Sequence, residues 1–194
     1  MNLKDRRDRI IDVAIDLAEE GGFENVRQRD VADQAGIALG TLYKSFPSKE
    51  NILVAALERE AQTLERKMEA KPAEGETPAA RLRSFFKIIT RAMCRKPKYA
   101  RAVLRAMASG VPEIAASVAG YQERMNRIIA AAMRGPNGGA SDMSPRETLV
   151  AAYLQRIWFS SLVAWSAGLQ AQNDVVDQMD VAVNLLLDAT KNMK

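Results

Sequence analysis

The sequence has no histidine and a single cysteine, Cys94, in 194 residues. Zinc sites of the His/Cys kind, histidine triads and histidine general bases are therefore excluded, as is an internal disulfide. No paired carboxylate or lysine motif invites catalysis. An enzyme is not expected, and no catalytic residue, metal ligand or cofactor is assigned. Long apolar runs are also missing. A membrane-spanning helix needs about 18 apolar residues in a row, and the longest apolar stretch, 148–169, is broken by Gln155 and Arg156. The first twenty residues are charged and amphipathic, unlike a secretory signal. One cysteine and no signal fit the cytoplasm.

What is present is a soluble, core-forming composition. Hydrophobic residues make up 47% and charged residues 27%, enough to bury a core and too apolar for disorder. The net charge of +4 and pI near 9.3 suggest a polyanionic partner. The charge is unevenly spread. Residues 1–50 carry eight Lys or Arg against ten Asp or Glu, whereas 77–112 carry nine Lys or Arg and no acid.

Strand signals are scarce, and helical periodicity recurs between Gly and Pro punctuation. The expectation is an all-α chain of about nine helices. The first four are predicted over 4–20, 27–35, 39–46 and 48–70. Gly21, Gly22, Gly36 and Pro47 separate them, and Ser48 caps the fourth. Thr77-Pro78 opens the fifth helix, the sixth covers 97–109, and the seventh follows Pro112. A loop at 134–143 precedes the capping box "SPRE", 144–147, which opens the eighth. The ninth covers 174–191. A boundary near 47 divides an N-terminal domain, 1–47, from a larger one, 48–194.

The most informative stretch is "AGIALGTLYKSFPSKENIL", 35–53. It holds about two turns of helix, too short to be stable alone, so it must be docked. On a helical wheel Leu39, Leu42, Tyr43 and Phe46 cluster on one side, and Gly40, Thr41, Lys44 and Ser45 on the other. The second face is small, hydrogen-bonding and positive, which suits a groove lined by phosphates and base edges. With the preceding helix it forms a helix-turn-helix whose second helix is the reader. Lys49 follows at the start of the fourth helix, beside free backbone N–H groups. A short connecting helix with a solvated outer face fits the same wheel.

The stretch "GGFENVRQRDVADQAGIALGTLYKSFPSKENIL", 21–53, resembles the TetR family of bacterial transcriptional regulators. Gly22, Phe23, Arg29, Asp30, Val31, Ala32, Ala35, Gly36 and "GTLYKSFPSKE", 40–50, carry the likeness. The resemblance implies a ligand-responsive regulator, most often a repressor, that binds a palindromic double-stranded operator as a homodimer and is released by a small effector. Thr41, Tyr43, Lys44 and Lys49 match positions that touch DNA, mainly the backbone. Gly40 matches the position of close approach, and Leu39 a variable position that touches bases. Three residues depart from the pattern. Val26 and Ala38 stand where a hydroxyl is common, and Gln28 where an apolar residue is usual. Arg27, in the first turn of helix 2, is the candidate replacement for the missing phosphate anchors.

In the C-terminal part "RAMCRKP", 91–97, "IWFSSLVAWSAG", 157–168, and "DVAVNLLL", 180–187, resemble members that sense sterol- or fatty-acid-derived metabolites. Phe86, Ile89, Met93, Met107, Tyr121, Met125, Ile128 and Trp158 are candidate walls for an apolar or acyl effector; such stripes are also ordinary core. Leu154, Ser161, Leu162, Trp165, Met179, Val183 and Leu186, on the last two helices, are candidates for the dimer interface. Arg83, Lys87, Arg91 and Arg95 recur every four residues. They read either as a solvated face or as a landing strip for an anionic effector such as an acyl-CoA. A different class also fits: a helical protein that binds a small molecule and not DNA.

Overall fold

Pro and Gly set the helix ends seen in the computed structural model, which describes residues 3–136 and 142–193. Among these residues the structure is all-helical. The helices are α1 (Leu3–Gly21), α2 (Gln28–Ala35), α3 (Leu39–Ser45), α4 (Lys49–Ala70), α5 (Pro78–Cys94), α6 (Pro97–Met107), α7 (Ala115–Arg134), α8 (Pro145–Ser166) and α9 (Gln172–Ala189). Two short 3-10 turns, Phe23–Asn25 and Pro112–Ile114, were not anticipated.

The caps follow the sequence. Ser48 and Asn51 exchange hydrogen bonds at the start of α4. Thr77 Oγ1 accepts from the Ala80 amide at 3.1 Å, with Pro78 in the first turn of α5. Ser144 and Glu147 form the expected capping box at the start of α8. Gly36 ends α2 in a left-handed conformation, φ 68°, that only glycine adopts at no cost. There the Ile37 amide reaches back to the Ala32 carbonyl at 3.0 Å. By contrast, α2 and α3 begin at Arg27 and Ala38 without a side-chain cap.

Packing groups the chain into two units. The first comprises Met1–Glu60 and Lys96–Gly120, the second Ala61–Arg95 and Tyr121–Lys194. In the first, α1 packs on α2 and α6, and α2 on α3. Its core holds Ile10, Ala14, Leu17, Val31, Leu42, Phe46 and Leu53. Thus α6 belongs with the N-terminal helices, which a boundary at 47 does not express. In the second unit α9 packs on α5 and α8. No single helix among the described residues is long and apolar enough to cross a membrane.

One ion pair secures the second unit. Arg134 donates from Nε and Nη2 to the Glu147 carboxylate, at 2.6 and 2.9 Å, and the Ser144 amide donates to it at 2.8 Å. Both side chains are at most 14% exposed. The Arg134 hydrogen bonds, aided by Ser144, hold the Glu147 carboxyl down at about 2, against 4.5 for a free glutamate. Its contribution is therefore fully present above pH 4.5 and is lost as pH falls through about 2. A shift of this size corresponds to stabilisation on the order of 3 kcal/mol. Glu147→Gln is expected to lose that amount at pH 6. It should also flatten the decline in stability between pH 4.5 and 2, as urea unfolding across that window would show.

Candidate nucleic-acid interface and effector region

Docking of α3 rests on two side chains. Leu42 is fully buried and Phe46, one turn later, is 2% exposed. Arg7 of α1 lies 4.5 Å from the centre of the Phe46 ring. The wheel groups Leu39 and Tyr43 with them, and here the structure corrects it: these two are 37% and 47% exposed. The reason is angular. Tyr43 lies about 100° round the helix from Leu42, and a seven-residue helix pressed in along its Leu42 edge leaves that side out.

The exposed surface of α3 thus presents Leu39, Gly40, Tyr43, Lys44 and Ser45, with Thr41 half-buried and Arg27 exposed close by in sequence at the start of α2. A side chain at Gly40 would meet no atom within 4 Å. Nothing inside the protein requires glycine there, although glycine costs a helix about 1 kcal/mol relative to alanine. Gly40→Ala is therefore expected to raise thermal stability slightly while weakening DNA retention. Unaltered DNA retention would remove Gly40 from the interface.

Gln28, one of the departures from the family pattern, has a role that sequence reasoning missed. Its Nε2 donates to the Phe46 and Pro47 carbonyls, at 3.0 and 3.2 Å, capping the C-terminal end of α3. The apolar residue usual at that place could not supply this bond. Val26, another departure, is fully buried.

Lys49 is not a free ammonium. Its Nζ donates to the Phe23 carbonyl at 3.1 Å, sits 3.9 Å from the centre of the Phe23 ring and lies 3.5 Å from the Glu24 carboxylate. From α6, Arg105 reaches the same Glu24 at 2.8 Å and the same ring at 4.3 Å. The two cations hold the Glu24 carboxyl below its ordinary value.

In the second unit the expected effector residues are placed largely inside. Phe86, Ile89, Tyr121, Met125, Ile128 and Trp158 are buried, and Met93 is half-buried. The Phe86 and Trp158 rings lie 6.2 Å apart, and Trp158 Nε1 donates to Thr90 Oγ1 at 2.9 Å. Met107 is half-buried in the first unit. A cavity of about 780 Å³ opens elsewhere in the second unit, between the end of α4, α7 and the start of α8. Met68, Pro72, Ala131 and Met143 supply apolar wall, and Glu65, Glu69, Glu123 and Arg127 supply charge. Of the expected set only Ile128 lines it. Much of the wall is small or charged, which an apolar stripe does not mark. Glu65 already pairs with Arg124, and Asn126 Oδ1 in the wall is buried without a hydrogen-bond partner among the described residues.

The candidate interface residues divide. Leu154, Leu162, Met179 and Val183 are buried within the unit, and so is Ser161, which donates to Gln178. Trp165 and Leu186 are half-buried. The apolar side chains exposed on the same helices are Tyr153, Val163, Val181 and Leu185. The last two border an open groove of about 600 Å³ with Ile157 and Leu186. On α5, Arg83 is tied to Asp180 and Asn184. Lys87, Arg91 and Arg95 are exposed with no ion pair among the described residues. Cys94 is buried, and burial pushes its thiol up to about 11, which makes it unreactive.

Known proteins share this arrangement. Residues 10–56 match the family of bacterial regulatory proteins of the tetR type. Residues 75–186 match the tetracyclin repressor-like C-terminal domain. The chain is 38% identical, over 95% of its length and 84% of the relative's, to the HTH-type transcriptional repressor KstR of Rhodococcus jostii. A TetR transcriptional regulator from Rhodococcus sp. RHA1 superposes with a TM-score of 0.82 at 24% identity, covering 96% of this chain and 97% of that one. Thermus thermophilus FadR, a TetR-family repressor solved with lauroyl-CoA, superposes with 0.71 at 21% identity, covering 93% of each. These relatives are transcriptional regulators and not enzymes, and the chain belongs to the TetR family.

Proposed function

We propose that this regulator is a repressor that binds a two-fold symmetric operator as a homodimer and is released by an acyl effector. The observation that carries the reading is the exposed face of α3, with Gly40, Tyr43 and Lys44 presented and Leu42 and Phe46 docked beneath. Leu39, Gly40 and Thr41 meet base edges or the groove wall; Tyr43, Lys44 and Arg27 meet phosphates. The groove between Ile157, Val181 and Leu185 seats against a second copy, so α8 and α9 of each protomer build a four-helix interface.

Repressor function in the KstR relatives supports repression, and lauroyl-CoA in a structural relative supports an acyl thioester as effector. Its chain enters the cavity beside Met68 and Ile128. Its phosphates do not find free cations in that wall, where Arg127 lies 3.9 Å from Glu65 and Arg134 is paired with Glu147. They find them at Lys87, Arg91 and Arg95. The protein acts in the cytoplasm. The test is titration of the DNA complex with acyl-CoA thioesters and with the matching free acids. Release by the thioesters, abolished by Arg91→Ala with Arg95→Ala, is the expected result. A complex indifferent to every thioester would refute this effector class.

A further inference from the structure

Lys49 follows directly on the reading helix, yet it is held by the Phe23 carbonyl and ring. Its contact with Glu24 is loose, 3.5 Å, where a good charge-assisted hydrogen bond measures about 2.7–2.9 Å. Arg105 holds the same carboxylate at 2.8 Å and the same ring at 4.3 Å. Arg105 thus has the better share of the carboxylate, while Lys49 lies nearer the ring. It sits on α6, which packs on α1 and on the Phe23–Asn25 turn within the first unit. Lys98 fastens α6 there as well, donating to the Glu20 carbonyl at 2.7 Å.

We propose that Arg105 is a positioning residue for DNA binding: by occupying Glu24 it leaves Lys49 free to turn to a phosphate. This rests on the DNA-binding reading above. Lys49 and Arg105 compete for one anion. With Arg105 in place, Glu24 is largely neutralised, and the positive guanidinium also repels Lys49. Moving the ammonium to DNA then costs little. Without Arg105, Glu24 keeps its full charge and Lys49 closes on it. The site therefore makes α6 the element that sets the number of phosphates the N-terminal unit can engage.

The experiment measures affinity and its salt dependence on a duplex that the wild-type full-length protein selects from a random pool. Arg105→Gln is expected to weaken binding roughly two- to fivefold per protomer, the range of exposed ion-pair couplings. The slope against log salt should become shallower by about one for each phosphate that Lys49 no longer engages. In a Lys49→Gln background the same substitution should change neither quantity. Glu24→Gln combined with Arg105→Gln should restore both, since Lys49 then has no acid to close on. Equal losses from Arg105→Gln with and without Lys49 would overturn the proposal, because they would signal only the missing charge of Arg105. So would an unchanged slope in Arg105→Gln, or no restoration in the double variant. A wild-type protein that retains no duplex would instead sink the DNA-binding reading, and this inference with it.

Discussion

Replacing Tyr43 and Lys44 together by alanine is expected to abolish specific DNA retention and to leave the fold intact. Both side chains point outward from α3, and neither has a partner among the described residues. Surface substitutions of this kind change stability by less than about 0.5 kcal/mol. Hydrogen bonds to a charged group, by contrast, contribute about 1.5–3 kcal/mol each. With two such bonds per protomer and two protomers on the operator, even the lower value gives about 6 kcal/mol, or about ten-thousandfold in affinity. Melting curves that match wild type, beside gel shifts that show no complex, would be the signature. Leu42→Ala separates contact from docking. It removes a fully buried side chain, costs about 2–5 kcal/mol and loses DNA binding through undocking of α3, with a lowered melting temperature. If the outward pair were mere solvated surface, the double variant would bind as well as wild type.

The second large effect falls in the other unit. Trp158→Ala is expected to destabilise it by about 4–5 kcal/mol, the upper part of the range for aromatic truncation in a core. Trp158 is 4% exposed, packs against Phe86 and donates to the buried Thr90 hydroxyl. Truncation leaves a cavity and strands that hydroxyl. Trp158→Phe keeps most of the volume and loses the hydrogen bond, so about 1–3 kcal/mol is expected. The remaining tryptophan, Trp165, reports the unfolding by fluorescence. The result also decides what Trp158 is for. A core residue gives this loss with and without effector. A wall of the effector site would give a small loss in stability and a large loss in acyl-CoA response.

These cases show where the sequence was readable. The ends of α2, α4, α5 and α8 were legible because local chemistry set them: a left-handed glycine at Gly36, capping hydroxyls at Ser48, Thr77 and Ser144, and prolines that cannot continue or that must begin a helix. The reading helix was legible as an element, since two turns of helix require docking. Its orientation was legible only in part. A wheel gives angles between side chains, but not which of Leu39, Leu42 and Tyr43 points most directly inward. Gln28 looked like a departure because its partner carbonyls, at Phe46 and Pro47, lie eighteen residues or more away in sequence. Lys49 looked free for the same reason: Phe23 and Glu24 reach it only through the fold. The apolar stripes on α5, α7 and α8 marked buried surface correctly. Burial alone, however, does not tell packed core from cavity wall, and the cavity between α4 and α7 takes only Ile128 from those stripes. The same ambiguity touched α8 and α9, where the strongest apolar positions turned inward and Tyr153, Val181 and Leu185 remained outside.

An α3 that reads DNA from a two-fold dimer fixes the symmetry of the site it selects. The most direct test is selection of bound duplexes from a random-sequence pool by the purified protein at moderate salt. The expected product is an inverted repeat whose half-sites are spaced to place two reading helices in successive major grooves, about 34–36 Å apart. The Tyr43→Ala, Lys44→Ala variant is expected to enrich nothing from the same pool. A folded wild-type protein that enriches no sequence, or one that enriches a site without two-fold symmetry, would contradict a two-fold reader.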